Sequence, residues 1–199
     1  MMLIEDVPVA DQDLPVAPFK DHLRLGTGFT ETNIQDSVLI GFLRAALSTI
    51  EGRTAKALYR RDFTLTQEHW SSAGSQTLPL APAASVNAVT MVHVDASETL
   101  VAPERYRLVA DLSYPVLRAT GACLPTIPSN AIVRIEFTAG FAADWVSMPP
   151  DLAQAVMLLA AHYYEYRDET ALGEGCMPFG VTSLIQRYRP MRLTPGRAV

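Results

Sequence analysis

Residues 149–167 read PPDLAQAVMLLAAHYYEYR and form the most strongly helical stretch of the chain. Pro149, Pro150 or Asp151 can start the helix, because proline at a first helical position gives up an amide that has no partner there anyway. One face carries apolar residues at helical spacing, namely Leu152, Ala155, Val156, Leu159, Tyr163 and Tyr166. The other face is also mostly apolar, with Ala153, Met157, Leu158, Ala160 and Ala161. A helix that is apolar all round is predicted to lie either deep in a core or against another subunit.

Composition limits what the whole chain can be. With 199 residues, 49% hydrophobic and 19% charged, it fits one domain, or one domain with an insertion. The helix at 149–167 is too short for a membrane span of about 20 apolar residues, so no membrane contact is expected. The formal net charge of −5 argues against general nucleic-acid binding, which needs a positive surface, but it is compatible with a wall that DNA merely slides past.

Two more helices are predicted before the centre of the chain. A short one covers residues 18–25, and a longer one begins at the capping-box pattern Thr32-Asn33-Ile34-Gln35 and continues to about Tyr59. Charged residues follow on that longer segment, and we expect them to form its solvated face or to bind a partner: Glu51, Arg53, Lys56, Arg60 and Arg61. A final short helix is predicted at 182–188, before Pro190.

Between these helices the apolar period changes to the alternation of strands. Six short strands are predicted, at 63–70, 78–82, 86–94, 106–109, 116–118 and 131–138, with a turn at 71–76. The fold class is therefore predicted to be α+β, a helical frame with an inserted antiparallel β block. The predicted divisions are an extended N-terminal arm at 1–17, a helical core at 18–61 and 148–188, a β insertion at 62–147, and an extended C-terminal tail at 189–199.

Signals for catalysis or metal binding are weak. The chain has no phosphate-binding glycine loop, no HExxH and no paired CxxC. His69 and His93 could face each other on neighbouring strands, and His162 and Glu165 lie three residues apart on one helix, but neither pair has enough further ligands. Cys123 and Cys176 match no metal spacing and are expected to be free thiols. We therefore predict no enzyme activity, no cofactor and no metal.

The two ends of the chain carry opposite charge. The first 16 residues are acidic, and their sequence does not resemble a secretory leader. From Ile185 onward there are four arginines and no acidic residue. This asymmetry suits contacts between copies or with a partner, although a loose first segment and a solvated tail are the simpler interpretations.

The order of these segments resembles a known family. The sequences that carry the resemblance are HLRL at 22–25, IEGRTAKALYRRDFTL at 50–65, LPLAPAASVNAVTMVHVD at 78–95, YRLV at 106–109, RIEFTAGF at 134–141, MPPDLAQAVMLLAAHYYEYRD at 148–168 and LIQRYRPMRL at 184–193. In this order and spacing they look like the head–tail connector, or adaptor, proteins of tailed phages, prophages and gene transfer agents, in the longer form with a β insertion. The resemblance covers residues 18–193 and fits an infectious phage and a gene transfer agent equally.

The resemblance implies a structural protein of the neck of a virion or phage-like particle, assembled in the bacterial cytoplasm. It implies a homo-oligomeric ring of twelve subunits below the portal protein, with a tail-side connector or stopper protein beneath it and DNA passing through the centre without sequence-specific binding. Because tails of this family reach the portal, the resemblance assigns portal binding to five residues, Arg187, Tyr188, Arg189, Arg192 and Arg197. A basic tail with few acidic groups is suited to folding onto a partner.

A closed ring would also cover the second apolar face of the helix at 149–167. We therefore predict Met157, Leu158 and Ala161 as subunit-interface residues. The alternative interpretation is a small β-sandwich module that binds a sugar or peptide through exposed aromatic side chains, namely Trp70, Tyr106, Tyr114 and Trp145.

Overall fold

The computed structural model describes residues 1–25, 35–167 and 177–190. The fold is α+β, as predicted. The described helices are α1 (Val16–His22), α2 (Asp36–Thr54), α3 (Pro150–Glu165) and α4 (Phe179–Ile185). The strands are β1 (Met2–Glu5), β2 (Arg61–Gln67), β3 (Ser75–Thr77), β4 (Ala83–Val92), β5 (Glu98–Leu100), β6 (Tyr106–Val109), β7 (Val116–Ala119) and β8 (Ile132–Ala139). No described helix has the length and hydropathy needed to cross a bilayer.

The helices form one half of the molecule around α3. Helix α3 packs mainly against α2 and α4, and α1 contacts both α2 and α3. The most deeply buried side chains of this core are Leu39, Leu43, Ile50, Leu152, Val156, Leu159 and Val181. The apolar residues on several sides of α3 are thus largely explained by burial within the chain itself.

The strands form two antiparallel sheets that share a second core. The larger sheet has the order β1-β2-β8-β4-β5, and the smaller one has the order β3-β7-β6. Strand β8 is central and alternates strictly, so Val133, Ile135 and Phe137 face the core. The rings of Phe63 and Phe137 stack there with their centroids 5.8 Å apart.

Gly140 joins β8 to the helical half. Its φ is +138°, and a Cβ at this position would lie 2.2 Å from the carbonyl oxygen of Tyr59. Only glycine allows the backbone to pass this close to residues 59 and 60. The contact continues in a hydrogen bond of 2.7 Å from the Arg60 amide to the Ala142 carbonyl.

Several predicted boundaries were wrong. Helix α2 ends at Thr54, not near Tyr59, because Ala55 adopts a left-handed conformation with φ of 53°. Residues 32–34 of the predicted capping box lie outside the described residues, and Gln35 makes no side-chain capping bond. Strand β3 occupies part of the predicted turn at 71–76, and the predicted strand at 78–82 is absent, with a single bridge from Ala81 to Lys56.

The β block is richer than predicted. Seven strands, not six, lie between α2 and α3 in the described chain, and an eighth, β1, comes from the predicted arm at 1–17. The two hydrophobic cores follow the predicted frame and insertion. The division into a helical domain with an inserted β region nevertheless stays a prediction, because packing alone does not define an insertion.

Candidate functional site: the assembly surfaces

The basic C-terminal segment is fixed to the start of α3 by a small polar cluster. The Tyr188 hydroxyl donates to Asp151 Oδ1 at 2.8 Å, and Arg187 Nη2 lies 2.8 Å from Asp151 Oδ2. Arg187 also donates to the Tyr188 hydroxyl and lies over its ring. The Tyr188 ring meets Phe141 edge to face, with centroids 5.5 Å apart. This cluster is the last described anchor before the tail.

The electrostatics of this cluster favour the arrangement. Asp151 lies in the first turn of α3, where the partial positive charge of the helix stabilises a carboxylate. Burial raises the pKa of Tyr188 above its ordinary value, which further favours the protonated hydroxyl that donates to Asp151. The Arg187 side chain is 69% exposed, and its pair with Asp151 is therefore screened by solvent.

The predicted portal-binding residues do not all have the same surroundings. Arg187 and Tyr188 are engaged within the chain, as described above. Arg189 is exposed and is not in an ion pair with any described residue. Arg192 and Arg197 lie outside the described residues.

The predicted subunit-interface residues differ in how far the helical core covers them. Met157 is only 7% exposed and belongs to the helical core, so its face is covered without a second subunit. Leu158 and Ala161 are partly buried against the same core. Leu158 Cδ1 would lie 3.8 Å from a Cβ at Gly180 of α4. Of the three predicted residues, Leu158 and Ala161 are the ones with exposed surface that another subunit could cover.

The N-terminal strand is tied to the helical half by a second charged cluster. Arg61 at the start of β2 lies 3.1 Å from Glu5 of β1 and 2.8 Å from Glu51 of α2. The other oxygen of Glu51 accepts the Leu58 amide at 2.7 Å. Burial raises the pKa of Glu51, while Arg61 acts in the opposite direction. This cluster joins β1, β2 and α2, and it was not predicted from the sequence.

Of the five charged residues predicted to lie on a solvated helix face, Arg53 and Arg60 are exposed, but the prediction is wrong for Lys56 and Arg61. Because α2 ends at Thr54, Arg61 belongs to a strand and its side chain is only 10% exposed. Lys56 is 1% exposed, and its Nζ has no hydrogen-bond partner among the described residues. Burial lowers the pKa of Lys56, and the charge of Asp111 opposes this.

The candidate metal pairs are not supported by position. His69 and His93 follow β2 and β4, which β8 separates, so they do not lie on neighbouring strands as expected. Within residues 1–25, 35–167 and 177–190, no three His, Cys, Asp or Glu side chains are placed together to hold a metal ion. His162 contacts the Tyr166 ring, with centroids 4.7 Å apart.

The aromatic residues of the alternative binding module do not form one surface. Tyr106 is 9% exposed and lies in the sheet core. Trp145 packs against the helical core, and Trp70 donates to the Pro125 carbonyl at 2.8 Å. The prediction that all four are exposed contacts is therefore wrong for Tyr106.

Comparison with known proteins defines the class. No protein-family model and no curated protein matches the chain, but solved structures do. A chain from the neck of an empty gene transfer agent particle, computed with C6 symmetry, is 52% identical with a TM-score of 0.90, over 100% of both chains. Chains from the virion of a native gene transfer agent particle (50%, TM-score 0.87) and from a native neck computed with C12 symmetry (48%, TM-score 0.85) also match over 100% of both chains.

These matches define a structural protein of the neck of a phage-like particle, not an enzyme. The identities extend over the full length of the chain, including the acidic first segment that lay outside the resemblance seen in sequence. The chain belongs to the head–tail connector, or adaptor, family of tailed phages, prophages and gene transfer agents.

Proposed function

We propose that this protein forms a ring of twelve subunits between the portal and the tail-side proteins of a gene transfer agent or phage-like particle. DNA passes through the central channel of the ring during delivery. The observation that carries the proposal is the full-length similarity to neck chains in structures computed with C6 and C12 symmetry. A twelvefold ring is compatible with both, because sixfold symmetry is contained in twelvefold symmetry.

The C-terminal segment is the part that meets the portal. The cluster of Asp151, Arg187 and Tyr188 fixes where the segment begins, beside the first turn of α3. Beyond it, Arg189, Arg192 and Arg197 supply positive charge without an acidic neighbour in sequence. Arginine forms bidentate bonds with carboxylates, so we expect an acidic groove on the portal as the partner surface.

The exposed part of α3 supports a contact between subunits. Leu158 and Ala161 are partly exposed beside the helical core. Leu158→Asp should prevent assembly while the monomer stays folded, because a charge at the rim of a core remains solvated. The neighbouring residue Met157 is buried, so Met157→Asp should unfold the monomer instead, since it places an unpaired charge in the core. Circular dichroism and light scattering of both variants test this contrast, and unfolding by Leu158→Asp would remove Leu158 from the interface.

The mass of the assembled particle tests the proposed function directly. The purified protein is measured by light scattering and electron microscopy, alone and with its portal. We expect a ring of twelve copies, either free or on the portal. A protein that stays monomeric under both conditions would refute the proposal.

A further inference from the structure

The five-stranded sheet has two open edges. Strand β1 forms one edge and β5 the other, and no described strand pairs with the outer side of either. Open edges present amide and carbonyl groups that pair readily with a strand from another chain. A surface cavity of about 380 Å³ flanks β5 and is lined by Leu100, Val101 and Arg105 among others. The β5 edge is therefore not covered by the described part of the chain.

Exposed apolar side chains lie at both ends of one row across this sheet. Directly paired residues point to the same face, and here the pairings place Met2, Thr66, Arg134, Thr90 and Leu100 in line. The centre of the row is polar, whereas Met2 is 55% exposed and Leu100 is 64% exposed. If the β1 edge of one copy meets the β5 edge of the next, these two side chains become neighbours and leave water.

Positive charge continues from the β5 edge onto the smaller sheet. Arg107 of β6 and Arg118 of β7 are directly paired and exposed. Like charges opposite each other destabilise a sheet, and neither arginine has an ion pair among the described residues. Arg105 lines the cavity beside β5 and is also exposed. It makes no ion pair with a described residue. Arg105, Arg107 and Arg118 thus form an arginine strip without an ion pair to any residue that the structure describes.

Negative charge accompanies the β1 edge. Residues 1–14 contain four acidic residues and no lysine or arginine. Two of the four, Glu5 and Asp11, pair with Arg61 and Arg44. Asp6 and Asp13 are exposed and have no ion pair in the described chain. The segment is thus complementary in charge to the arginine strip.

We propose that β1 and the acidic segment after it, residues 1–14 of one copy, bind the β5 edge and the arginine strip of the next copy. The inference rests on the ring of the proposed function and adds a second contact to that of α3. Four successive antiparallel pairings separate β1 from β5, so the two strands run in the same direction. Pairing β1 of one copy with β5 of the next is a head-to-tail contact, and the same contact repeated between successive copies can close a ring. A twofold dimer would instead pair β1 with β1.

A charge exchange in the full-length protein tests the contact. One variant carries Arg107→Glu and Arg118→Glu, a second carries Asp6→Arg and Asp13→Arg, and a third carries all four changes. Ring formation, alone or on the portal, is followed by light scattering and electron microscopy. Each double variant should raise the protein concentration needed for half-assembly by roughly tenfold or more, because like charges then meet. The fourfold variant should recover assembly, since each copy again presents opposite charges to the next.

The apolar half of the contact has its own pair of variants. Leu100→Lys should impair ring formation, whereas Val146→Lys should not, because Val146 is 93% exposed but belongs to the connection between β8 and α3 and to neither edge strand. Thermal melts of the monomers confirm that each variant is folded. Rings that assemble normally in both double variants and in Leu100→Lys would overturn this inference and leave the proposed function intact. Twofold dimers joined through β1 would overturn it too, and an unmodified protein that forms no ring would overturn both proposals.

Discussion

The two ends of the described chain are attached to the fold in different ways. At the N-terminal end, β1 pairs along its length with β2, and Glu5 meets Arg61, which also holds Glu51 of α2. At the C-terminal end, a single turn of chain is held by Tyr188 and Arg187 on Asp151. The first attachment joins three elements at a nearly buried arginine, while the second lies on the surface.

This difference is consistent with the proposal that the N-terminal end is structural and the C-terminal end docks. A buried charged cluster is costly to break, because each remaining charge loses its partner away from water. An exposed cluster contributes little and can rearrange when a partner binds. In the two proposals above, the N-terminal segment therefore presents a fixed edge to a neighbouring copy, and rearrangement of the exposed cluster at Tyr188 would cost the fold little.

Replacing Arg61 gives the largest expected effect. Arg61→Ala leaves Glu51 and Glu5 without their shared cation, and we expect the free energy of unfolding to fall by about 3 kcal/mol. The matched control is Arg187→Ala, which removes an arginine from an exposed pair and should cost less than about 1 kcal/mol. Urea denaturation of both variants measures the difference. Equal losses would show that the two ends are held alike.

Lys56 sharpens the comparison because it is buried and close to Arg61 in sequence, but its Nζ makes no hydrogen bond with any residue that the structure describes. Lys56→Met should raise the free energy of unfolding by about 1 kcal/mol near neutral pH, since it removes an unsatisfied buried group. The pKa of Lys56 is lowered in the folded state, so the unfolded state binds more protons between the folded pKa and the ordinary value.

The stability of the unmodified protein should consequently rise as pH increases toward about 10, and this rise should be smaller in Lys56→Met. Urea titrations at several pH values test the difference between the two proteins. Tyr59, with a pKa raised to about 12, contributes equally in both and cancels. Parallel pH profiles would show that Lys56 keeps its charge without cost.

The sequence predicted the elements with strong local patterns. Strand β8 alternates over eight residues, and α3 starts at prolines and is apolar on most sides, so both were found close to their true bounds. Strands β1, β3 and β5 were missed because three or four residues carry no clear period, and they form only when a neighbouring strand is present.

The charged clusters were not predictable from local sequence. Ala55 ends α2 in a left-handed conformation that is rare for a residue with a side chain, so the pattern gave no reason to stop the helix there. Because the predicted helix continued beyond Thr54, Lys56 and Arg61 were assigned to an exposed helical face. The pairing of Tyr188 with Asp151 joins residues 37 apart, and no spacing rule connects them.

Removing one hydroxyl tests the C-terminal attachment. Tyr188→Phe should lower the free energy of unfolding by about 1 kcal/mol, because Asp151 and Arg187 lose their shared partner. Tyr163→Phe is the control, since its hydroxyl takes part in a side-chain hydrogen bond elsewhere in the fold, with the Thr49 hydroxyl at 3.1 Å. The stability losses should be similar, but hydrogen exchange at residues 186–190 should quicken only in Tyr188→Phe. Faster exchange there in both variants would argue against a local anchor at Tyr188.

Truncation of the tail gives the smallest expected effect on stability and the largest on docking. Deleting residues 190–199 should change the free energy of unfolding by less than about 0.5 kcal/mol, because the described anchor ends at Tyr188, yet binding to the portal should be lost. Deleting residues 1–6 is the comparison, and it should destabilise the fold about as much as Arg61→Ala, since it removes β1 and Glu5. Urea denaturation and a pull-down with the portal separate the two properties. A tail deletion that unfolds the protein would place the C-terminal segment in the core, and one that still binds the portal would move the docking surface elsewhere.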